Sequence, residues 1–292
     1  MIAKSAKELI NICNSNNIKL SEYAINREID EKNISREELF LHMQETLNVM
    51  RQAANTGREK EVYSLSGLIG GDAFKLQKYL ESGKSLLGNT AVTAMAMALS
   101  SSEVNGSMGK IVACPTAGSC GILPAVILTA GERLGKNDSE MIEGLFAASA
   151  VGMIIGMNAT FAGAEGGCQA ECGSAAAMAS AAVVEMMGGT PEMSLNAGAI
   201  VFKNILGLVC DPVAGLVEIP CAKRNVSGAI SALSTADLVM AGVCSKIPFD
   251  DALSAMYKVG IELPASLRET ALGGIAITKT GLELKDKVFN NN

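Results

Sequence analysis

Two stretches of the chain concentrate thiols among glycines, prolines and carboxylates. The first is Ala164–Gly173 (AEGGCQAECG), and the second is Cys210–Cys221 (CDPVAGLVEIPC). A buried structural cysteine usually occupies an apolar stripe, where it acts as a small hydrophobic residue. Cys168 and Cys221 lie outside any such stripe, and Cys210 ends an apolar run immediately before Asp-Pro. These three thiols are therefore the first candidates for metal or cluster ligands.

The spacing of the three thiols limits the kind of centre they could form. Cys168 and Cys210 are 42 residues apart, and Cys210 and Cys221 are 11 apart, so no compact C-x-x-C ferredoxin pattern exists. With three protein ligands, an iron–sulfur cluster would keep one iron without a protein ligand. Such an iron can act as a Lewis acid toward a substrate hydroxyl and carboxylate. Zinc held by three thiolates remains the alternative.

The other cysteines compete for these roles with less support. Cys172 lies four residues beyond Cys168, on the same face if that stretch is helical. Cys114, Cys120 and Cys244 have apolar surroundings, which favours packing roles. Cys13 falls on the apolar face of a short predicted helix and is expected in the core.

Several other chemistries lack their sequence requirements. The single histidine, His42, lies off the apolar stripe of its helix and is interpreted as a surface residue, so a triad with a histidine base is disfavoured. Neither phosphate-binding glycine motif is present, and the α/β organisation expected around pyridoxal phosphate is missing. A net charge of -6 without a basic run argues against nucleic-acid binding. The N-terminal residues lack the pattern of a secretory signal, and eight cysteines then favour metal binding over disulfides in a cytoplasmic protein.

The elements that must position these residues are predicted to be helices. With 49% hydrophobic residues, 18% charged residues, 15 Met and no Trp, the chain can build a large core from small and aliphatic side chains. Because no βαβ rhythm appears, the predicted fold is mostly α, a single helical domain with central Ala/Gly-rich buried helices around a cluster site. Residues 1–62 form an N-terminal helical portion, and residues 63–292 form the catalytic domain, continuous with it. Two uncharged stretches, Ile111–Gly131 and Gly144–Ala164, are interpreted as buried helices rather than membrane spans.

Periodicity and capping signals give the expected helix bounds. Ser35 with Glu38 forms a capping-box pattern, and Thr190 followed by Pro191 marks another helix start. The only alternation typical of a strand spans 275–284. Helices are expected at 5–16, 21–32, 35–57, 72–81, 90–100, 139–157, 174–187, 191–208, 226–245 and 251–259.

At these motifs the sequence resembles a known family, the iron–sulfur-dependent L-serine dehydratases (L-serine ammonia-lyases), in particular the alpha chain of their two-chain form. The resemblance runs from about residue 64 to about residue 284. It is carried by SGLIGGDAFKL, SSEVNGSMGKIVACPTAGSCGILPAV, GMNATFAGAEGGCQAECGSA, GLVCDPVAGLVEIPCAKRN and GGIAITKTGLELK. It implies a helical catalytic chain that holds a [4Fe–4S] cluster through Cys168, Cys210 and Cys221. Cys172 stands where the family more often has an aliphatic residue.

The resemblance also implies a reaction and a partner. The reaction is β-elimination of L-serine to pyruvate and ammonia, assisted by the Lewis acidity of an iron, in amino-acid degradation and gluconeogenesis. A separate beta chain would supply a substrate-binding module, a small regulatory module and the general base, within an oligomer. The candidate substrate contacts are Ser107, Thr116, Asn158 and Arg224, the last as a partner for the substrate carboxylate. Glu165 and Glu171 are expected to orient ligands or substrate without touching the metal. Two alternatives remain: a related lyase acting on threonine or cysteine, and a cluster-free regulatory or binding subunit.

Overall fold

Helices connected by short loops and turns make up the fold in the computed structural model, which describes residues 2–290. The predicted mostly α fold is confirmed. No β-strand occurs within this range, and only two isolated bridges pair extended residues. The helices are α1 (Ala6–Asn16), α2 (Leu20–Lys32), α3 (Arg36–Glu59), α4 (Asp72–Glu81), α5 (Gly88–Gly106), α6 (Ile122–Leu134), α7 (Asp138–Asn158), α8 (Gly163–Gly166), α9 (Ser174–Met186), α10 (Pro191–Ile205), α11 (Cys221–Met240), α12 (Phe249–Glu262) and α13 (Lys279–Asn290).

The centre of the fold is α9, in which every residue is buried. It contacts α6, α7, α10 and α11, and its alanines and serines let these helices approach closely. Gly228 of α11 shows the same principle, because a Cβ there would lie 2.6 Å from the Ile122 side chain on α6. The predicted Ala/Gly-rich buried centre is therefore confirmed.

The two uncharged stretches contribute to α6 and α7, as buried helices. Only α7, within the described residues, is long and apolar enough to cross a membrane. Of its most apolar 18-residue window, 61% is buried inside the protein, and the helix packs against α2 and α9. That burial is typical of the core helix of a soluble protein.

Capping signals located several helix starts correctly. The Ser35 side chain accepts a hydrogen bond from the backbone N–H of Glu38, and the Thr190 side chain accepts one from Met193. Other bounds differ, since α5 is longer than predicted and α11 begins at Cys221 rather than at residue 226. As predicted, His42 is exposed on α3.

The strand suggested by alternation over 275–284 is wrong. This region holds a 3-10 turn, Gly274–Ile277, and then α13. The Thr278 side chain accepts a hydrogen bond from the Gly281 backbone N–H at 3.1 Å, which satisfies one of the free donors of the first helical turn. Local capping therefore outweighs a short alternating pattern that has no neighbouring strand to pair with.

Candidate active site

Cys168 is held between α8 and α9 by a glycine turn and a buried glutamine. Gly167 has a φ of 74°, and a Cβ there would lie 2.8 Å from a backbone oxygen of the segment that follows α10. The side-chain nitrogen of fully buried Gln169 donates to the Met256 carbonyl at 2.9 Å. A π-helical turn, Gln169–Gly173, leads from the thiol into α9. Such turns are frequent at functional sites.

Cys210 lies in an extended segment that pairs with the loop after α12. Its backbone N–H donates to the Leu267 carbonyl at 2.8 Å, and its carbonyl accepts from the Glu269 N–H at 2.7 Å. The two segments form a parallel bridge between Cys210 and Arg268. The loop that carries Glu269 is thereby fixed to the thiol segment.

Cys221 is the first residue of α11, and Arg224 follows it within one turn. The Arg224 guanidinium donates to the Val209 carbonyl at 2.8 Å and to Asp211 Oδ1 at 2.9 Å. Asp211 is buried, and its Oδ2 accepts from the backbone N–H of Ile275 at 2.7 Å. One ion pair therefore joins the Cys210 segment, α11 and the chain before α13.

The three predicted thiols lie close enough for their charges to interact. The hydrogen bond with Cys172, whose Sγ is 3.4 Å away, holds the pKa of Cys168 below its usual value, and the Arg224 charge acts in the same direction. Burial raises the pKa of Cys221 to about 12, and the charge of Cys168 adds to this effect. Burial also raises the pKa of Cys210, with contributions from Cys168 and Cys221. Folding thus brings together thiols that are far apart in sequence, with the Arg224 guanidinium close to Cys168 and Cys221.

Glu171 faces the same region from the π-helical turn. Its Oε1 accepts a hydrogen bond from Thr116 Oγ1 at 2.9 Å. A Cβ at Gly118 would lie 3.1 Å from Oε1, and a Cβ at Gly163 would lie 2.9 Å from Oε2 and 3.1 Å from Cys210 Sγ. Burial raises the pKa of Glu171, although the Thr116 hydrogen bond opposes this shift. The glycines leave room for a carboxylate next to a thiol.

Glu269 brings a second carboxylate to this point. Its Oε2 would lie 3.2 Å from a Cβ at Gly163, and its charge adds to the rise in the pKa of Glu171. Glu269 has a φ of +64°, a left-handed conformation that is uncommon for a residue other than glycine. No ion pair engages Glu171 or Glu269 within residues 2–290. The site is therefore rich in negative charge.

The donor set suits a group held by thiolates. Over the described part of the chain, no three His, Cys, Asp or Glu side chains form a group that could hold a metal ion. Cys168, Cys210 and Cys221 are nevertheless buried and mutually interacting, and the missing Cβ of Gly163 leaves the face of Cys210 open. Soft thiolate donors of this kind select iron–sulfur clusters or zinc. The residues present fit either group chemically.

The remaining predicted site residues lie in different parts of the fold. Ser107 Oγ donates to the Val104 carbonyl at 2.9 Å, at the end of α5. Asn158 Nδ2 donates to the Lys4 carbonyl at 2.9 Å, and the Glu165 side chain is exposed on α8. Thr116 therefore reaches the thiol site through Glu171, and Arg224 acts on Cys168 itself. The side chains of Ser107, Asn158 and Glu165 make no hydrogen bond to the thiols or to Glu171.

Of the other cysteines, one contradicts its prediction. Cys13, Cys114 and Cys120 are buried, as expected of packing residues. Cys244 is exposed in the turn after α11 and does not pack in the core. The apolar residues around it in sequence belong to a loop rather than to a buried helix.

Polar residues without a motif of their own complete the surroundings. Glu218 lies three residues before Cys221 in the sequence. Its Oε2 accepts hydrogen bonds from Ser64 Oγ and Ser66 Oγ, both at 2.6 Å. Asp211, Asn225 and Glu269 were also not predicted as site residues. The available signal was weak: Asp211 and Glu218 lie inside the CDPVAGLVEIPC stretch, whereas Glu269 is separated from it by all of α11 and α12.

Comparison with known proteins gives a consistent picture. A family model described as "Serine dehydratase alpha chain" matches residues 15–276. A Bacillus subtilis (strain 168) protein named "Probable L-serine dehydratase, alpha chain" is 49% identical over 286 residues, which cover 98% of this chain and 95% of that protein. The "L-serine dehydratase, alpha chain" of Peptoniphilus asaccharolyticus is 47% identical, covering 96% of each chain. "L-serine dehydratase TdcG" of Escherichia coli (strain K12) is 34% identical, but the match covers 94% of this chain and only 61% of that longer protein.

Proposed function

Because this chain belongs to the serine dehydratase alpha-chain family, we propose that it is the catalytic alpha subunit of an L-serine dehydratase. This lyase converts L-serine to pyruvate and ammonia. The observation that carries the proposal is the convergence of Cys168, Cys210 and Cys221 next to Glu171 and Arg224. A cluster-free binding subunit would not need three buried thiols facing carboxylates.

The cofactor in this proposal is a [4Fe–4S] cluster. Cys168, Cys210 and Cys221 would hold it, and when bound it supplies Lewis acidity at an iron that has no protein ligand. The hydrogen bond with Cys172 and then the Arg224 charge lower the pKa of Cys168, which favours the thiolate that binds metal. Zinc remains the competing occupant because the same donors bind it.

The elimination removes the Cα proton and breaks the Cβ–O bond of serine, with loss of water. The aminoacrylate product tautomerises to an imine, and water then hydrolyses the imine to pyruvate and ammonia. Glu171, held by the Thr116 hydroxyl, lines the space next to the Cys210 thiol. The sole histidine is exposed on α3, so we assign the base that takes the Cα proton to a partner chain.

That partner is proposed to be a beta chain. The names of the relatives that match over nearly their full length include "alpha chain", which implies a second chain in those proteins. The match to the longer Escherichia coli relative covers 61% of that protein, which therefore carries further sequence in the same polypeptide. We expect the beta chain to contribute the substrate-binding module in a cytoplasmic oligomer.

The test begins with iron and acid-labile sulfide measured on protein purified without oxygen. Wild type should contain about four irons per chain, and Cys168→Ala, Cys210→Ala and Cys221→Ala should lose them. Cys13→Ala is the matched control, since Cys13 is also buried but lies on α1. A wild-type protein that stays colourless and iron-free after anaerobic reconstitution would refute the cluster assignment.

Turnover then decides the substrate. Cluster-containing protein should release pyruvate from L-serine when the beta chain is present. If L-threonine or L-cysteine reacted as fast as L-serine or faster, the protein would instead be assigned as a related lyase acting on that amino acid. Absence of turnover with all three amino acids, despite a full cluster and a beta chain, would contradict the proposed function.

A further inference from the structure

Asn225 is a buried residue of α11 that bridges two parts of the candidate active site. It is 1% exposed and lies one helical turn after Cys221. Its Nδ2 donates to the Cys221 carbonyl at 2.9 Å and to the Gly118 carbonyl at 2.8 Å, and its Oδ1 accepts from the Gly121 N–H at 2.8 Å. Both donors of the amide are therefore used. Asp would lack these donors, and an apolar side chain would leave the loop groups unpaired.

The loop that Asn225 holds is a tight turn with little freedom. Of the two loop residues that contact the amide, Gly118 lies inside the 3-10 turn Ala117–Ser119, and Gly121 follows the turn by two residues. A Cβ at Gly121 would lie 2.5 Å from the Ala98 carbonyl oxygen and 3.0 Å from Asn225 Oδ1. Only a glycine permits this approach. The amide therefore ties both Gly118 and Gly121 to α11, while Gly121 also packs closely against α5.

The same turn supports Glu171 on its other side. Thr116 Oγ1 donates to Glu171 Oε1 at 2.9 Å, and Gly118 lies directly against the carboxylate. Glu171 contributes to the electrostatics of Cys168, Cys210 and Cys221. Contacts thus run from the Cys221 backbone through Asn225 and the turn to Glu171.

We propose that Asn225 is a positioning residue for the dehydratase reaction. It sets the Thr116–Glu171 pair relative to the Cys221 segment, so that Glu171 faces the substrate space at a fixed place. Asn225 acts through Thr116 and Glu171 and touches no thiol itself. This assignment rests on the proposed function of the site.

A double-mutant cycle with Thr116 tests the assignment on the holoenzyme assembled with its beta chain. Asn225→Ala and Thr116→Val should each lower kcat for L-serine at least about tenfold, with KM changed less than about threefold, because both changes misplace Glu171. The double variant should lose no more than about twofold beyond the worse single variant, since residues in one pathway are not additive. Iron and sulfide contents should stay at the wild-type level.

Two further variants serve as a replacement for Asn225→Ala and as a control. Asn225→Asp keeps the shape and the acceptor for Gly121 but loses both donors, and it replaces Asn225→Ala in the cycle if that variant does not fold. Thr235→Ala is the control, because Thr235 is also buried on α11 but contacts no residue of the turn through a hydrogen bond. It should keep wild-type kcat.

The outcomes separate this inference from the proposed function. Additive losses, wild-type kcat in the Asn225 variants, or loss of iron from them would overturn the positioning role while leaving an active wild-type enzyme. A wild type that binds no cluster or does not convert serine would refute the proposed function, and the inference would fall with it.

Discussion

Cys172 is the thiol whose role most sharply tests the ligand assignment. Its Sγ lies 3.4 Å from Cys168 Sγ and is as deeply buried as the three assigned ligands. We expect Cys172→Ala to keep the wild-type iron content, because the three ligands remain. Cys168→Ala should lose nearly all of it. Iron and sulfide assays on both variants, purified anaerobically, make the comparison.

The hydrogen bond between Cys168 and Cys172 shifts the pKa values of the two thiols in opposite directions. It holds the pKa of Cys168 low and raises the pKa of Cys172 well above its usual value. Of these two thiols, Cys168 therefore reaches the metal-binding thiolate form at the lower pH. Loss of iron from Cys172→Ala would make it a fourth ligand and contradict a three-thiol centre.

Glu103 is a buried carboxylate that makes stability depend on pH. Its Oε1 accepts from the backbone N–H groups of Asp72 and Ala73 at the start of α4, while its Oε2 has no partner. Burial raises the pKa of Glu103 from its ordinary value of 4.5 to about 7. The folded chain therefore binds this proton more tightly than the unfolded chain, and between these values stability falls as pH rises.

Glu103→Gln should remove this pH dependence. Relative to the variant, wild type should lose about 2–3 kcal/mol of unfolding free energy between pH 4.5 and 7.5. Urea denaturation over this range measures the difference, with exposed Glu59→Gln as the matched charge control. Parallel pH profiles for wild type and Glu103→Gln would show that Glu103 ionises normally in the folded chain.

At the residue scale, the sequence singled out the three thiols as site candidates but gave little sign of the residues around them. Cys168, Cys210 and Cys221 stood out because they lie among turn residues rather than on apolar stripes. Asn225 and Glu269 could not be predicted, because one is an ordinary polar residue on a helix and the other reaches the site from the distant loop after α12. Their roles depend on tertiary contacts that no local pattern records.

At the element scale, α12 packs closely against α8, and this contact fixes the position of the segment that precedes Cys168. A Cβ at Gly260 on α12 would lie 2.7 Å from Gly166 Cα and 3.1 Å from Gln169 Nε2. Gly260→Ala should therefore push the helices apart, lowering the unfolding free energy by about 1–3 kcal/mol despite the better helix propensity of alanine. The iron content after anaerobic purification should also fall.

Gly156→Ala is the control for this substitution. Gly156 is also a helical glycine, and an added Cβ would meet only the edge of the Phe161 ring, at 3.1 Å. This variant should keep its iron and lose less stability. Equal effects of the two substitutions would show that the contact between α12 and α8 has no special influence on Cys168.

Sequence signals placed most helices because caps and periodicity are local. They failed for α13, where a Thr278 cap outweighs apparent alternation, and for the start of α11, which begins at Cys221. They also missed the π-helical turn Gln169–Gly173. The Gln169 side chain at the start of that turn bonds to the Met256 carbonyl on α12 and to the N–H of Gly207 after α10. These are long-range contacts that no local pattern predicts.

At the scale of the whole molecule, the N-terminal portion shares its core with the catalytic helices. Leu9, Leu20 and Leu47 belong to the same buried cluster as Phe146 and Leu253. The Glu185 carboxylate on α9 accepts from the backbone N–H of Leu20 at 2.7 Å, at the start of α2. These contacts support the prediction that residues 1–62 and the remainder form one continuous domain.

The first turn of α1 gives this prediction a sharp test. Asp250, in the first turn of α12, accepts from the backbone N–H of Ala6 at 2.7 Å and of Lys7 at 3.1 Å. These are free donors of a helix N-terminus, where a carboxylate is favourable. Asp250→Ala should therefore destabilise the chain by about 1 kcal/mol and lower the Tm of the entire protein by about 2 °C.

Calorimetry should show a single transition for wild type and for Asp250→Ala, with equal calorimetric and van't Hoff enthalpies. Asp251→Ala serves as the control, since Asp251 is exposed in the same turn and makes neither hydrogen bond. Two resolved transitions, with Asp250→Ala shifting only the smaller, would show that residues 1–62 unfold separately. A single transition that shifts as a whole would mean that the N-terminal helices and the helices around the thiols unfold cooperatively. Such coupling is expected because the N-terminus of α1 is capped by Asp250, 244 positions from Ala6 in the sequence.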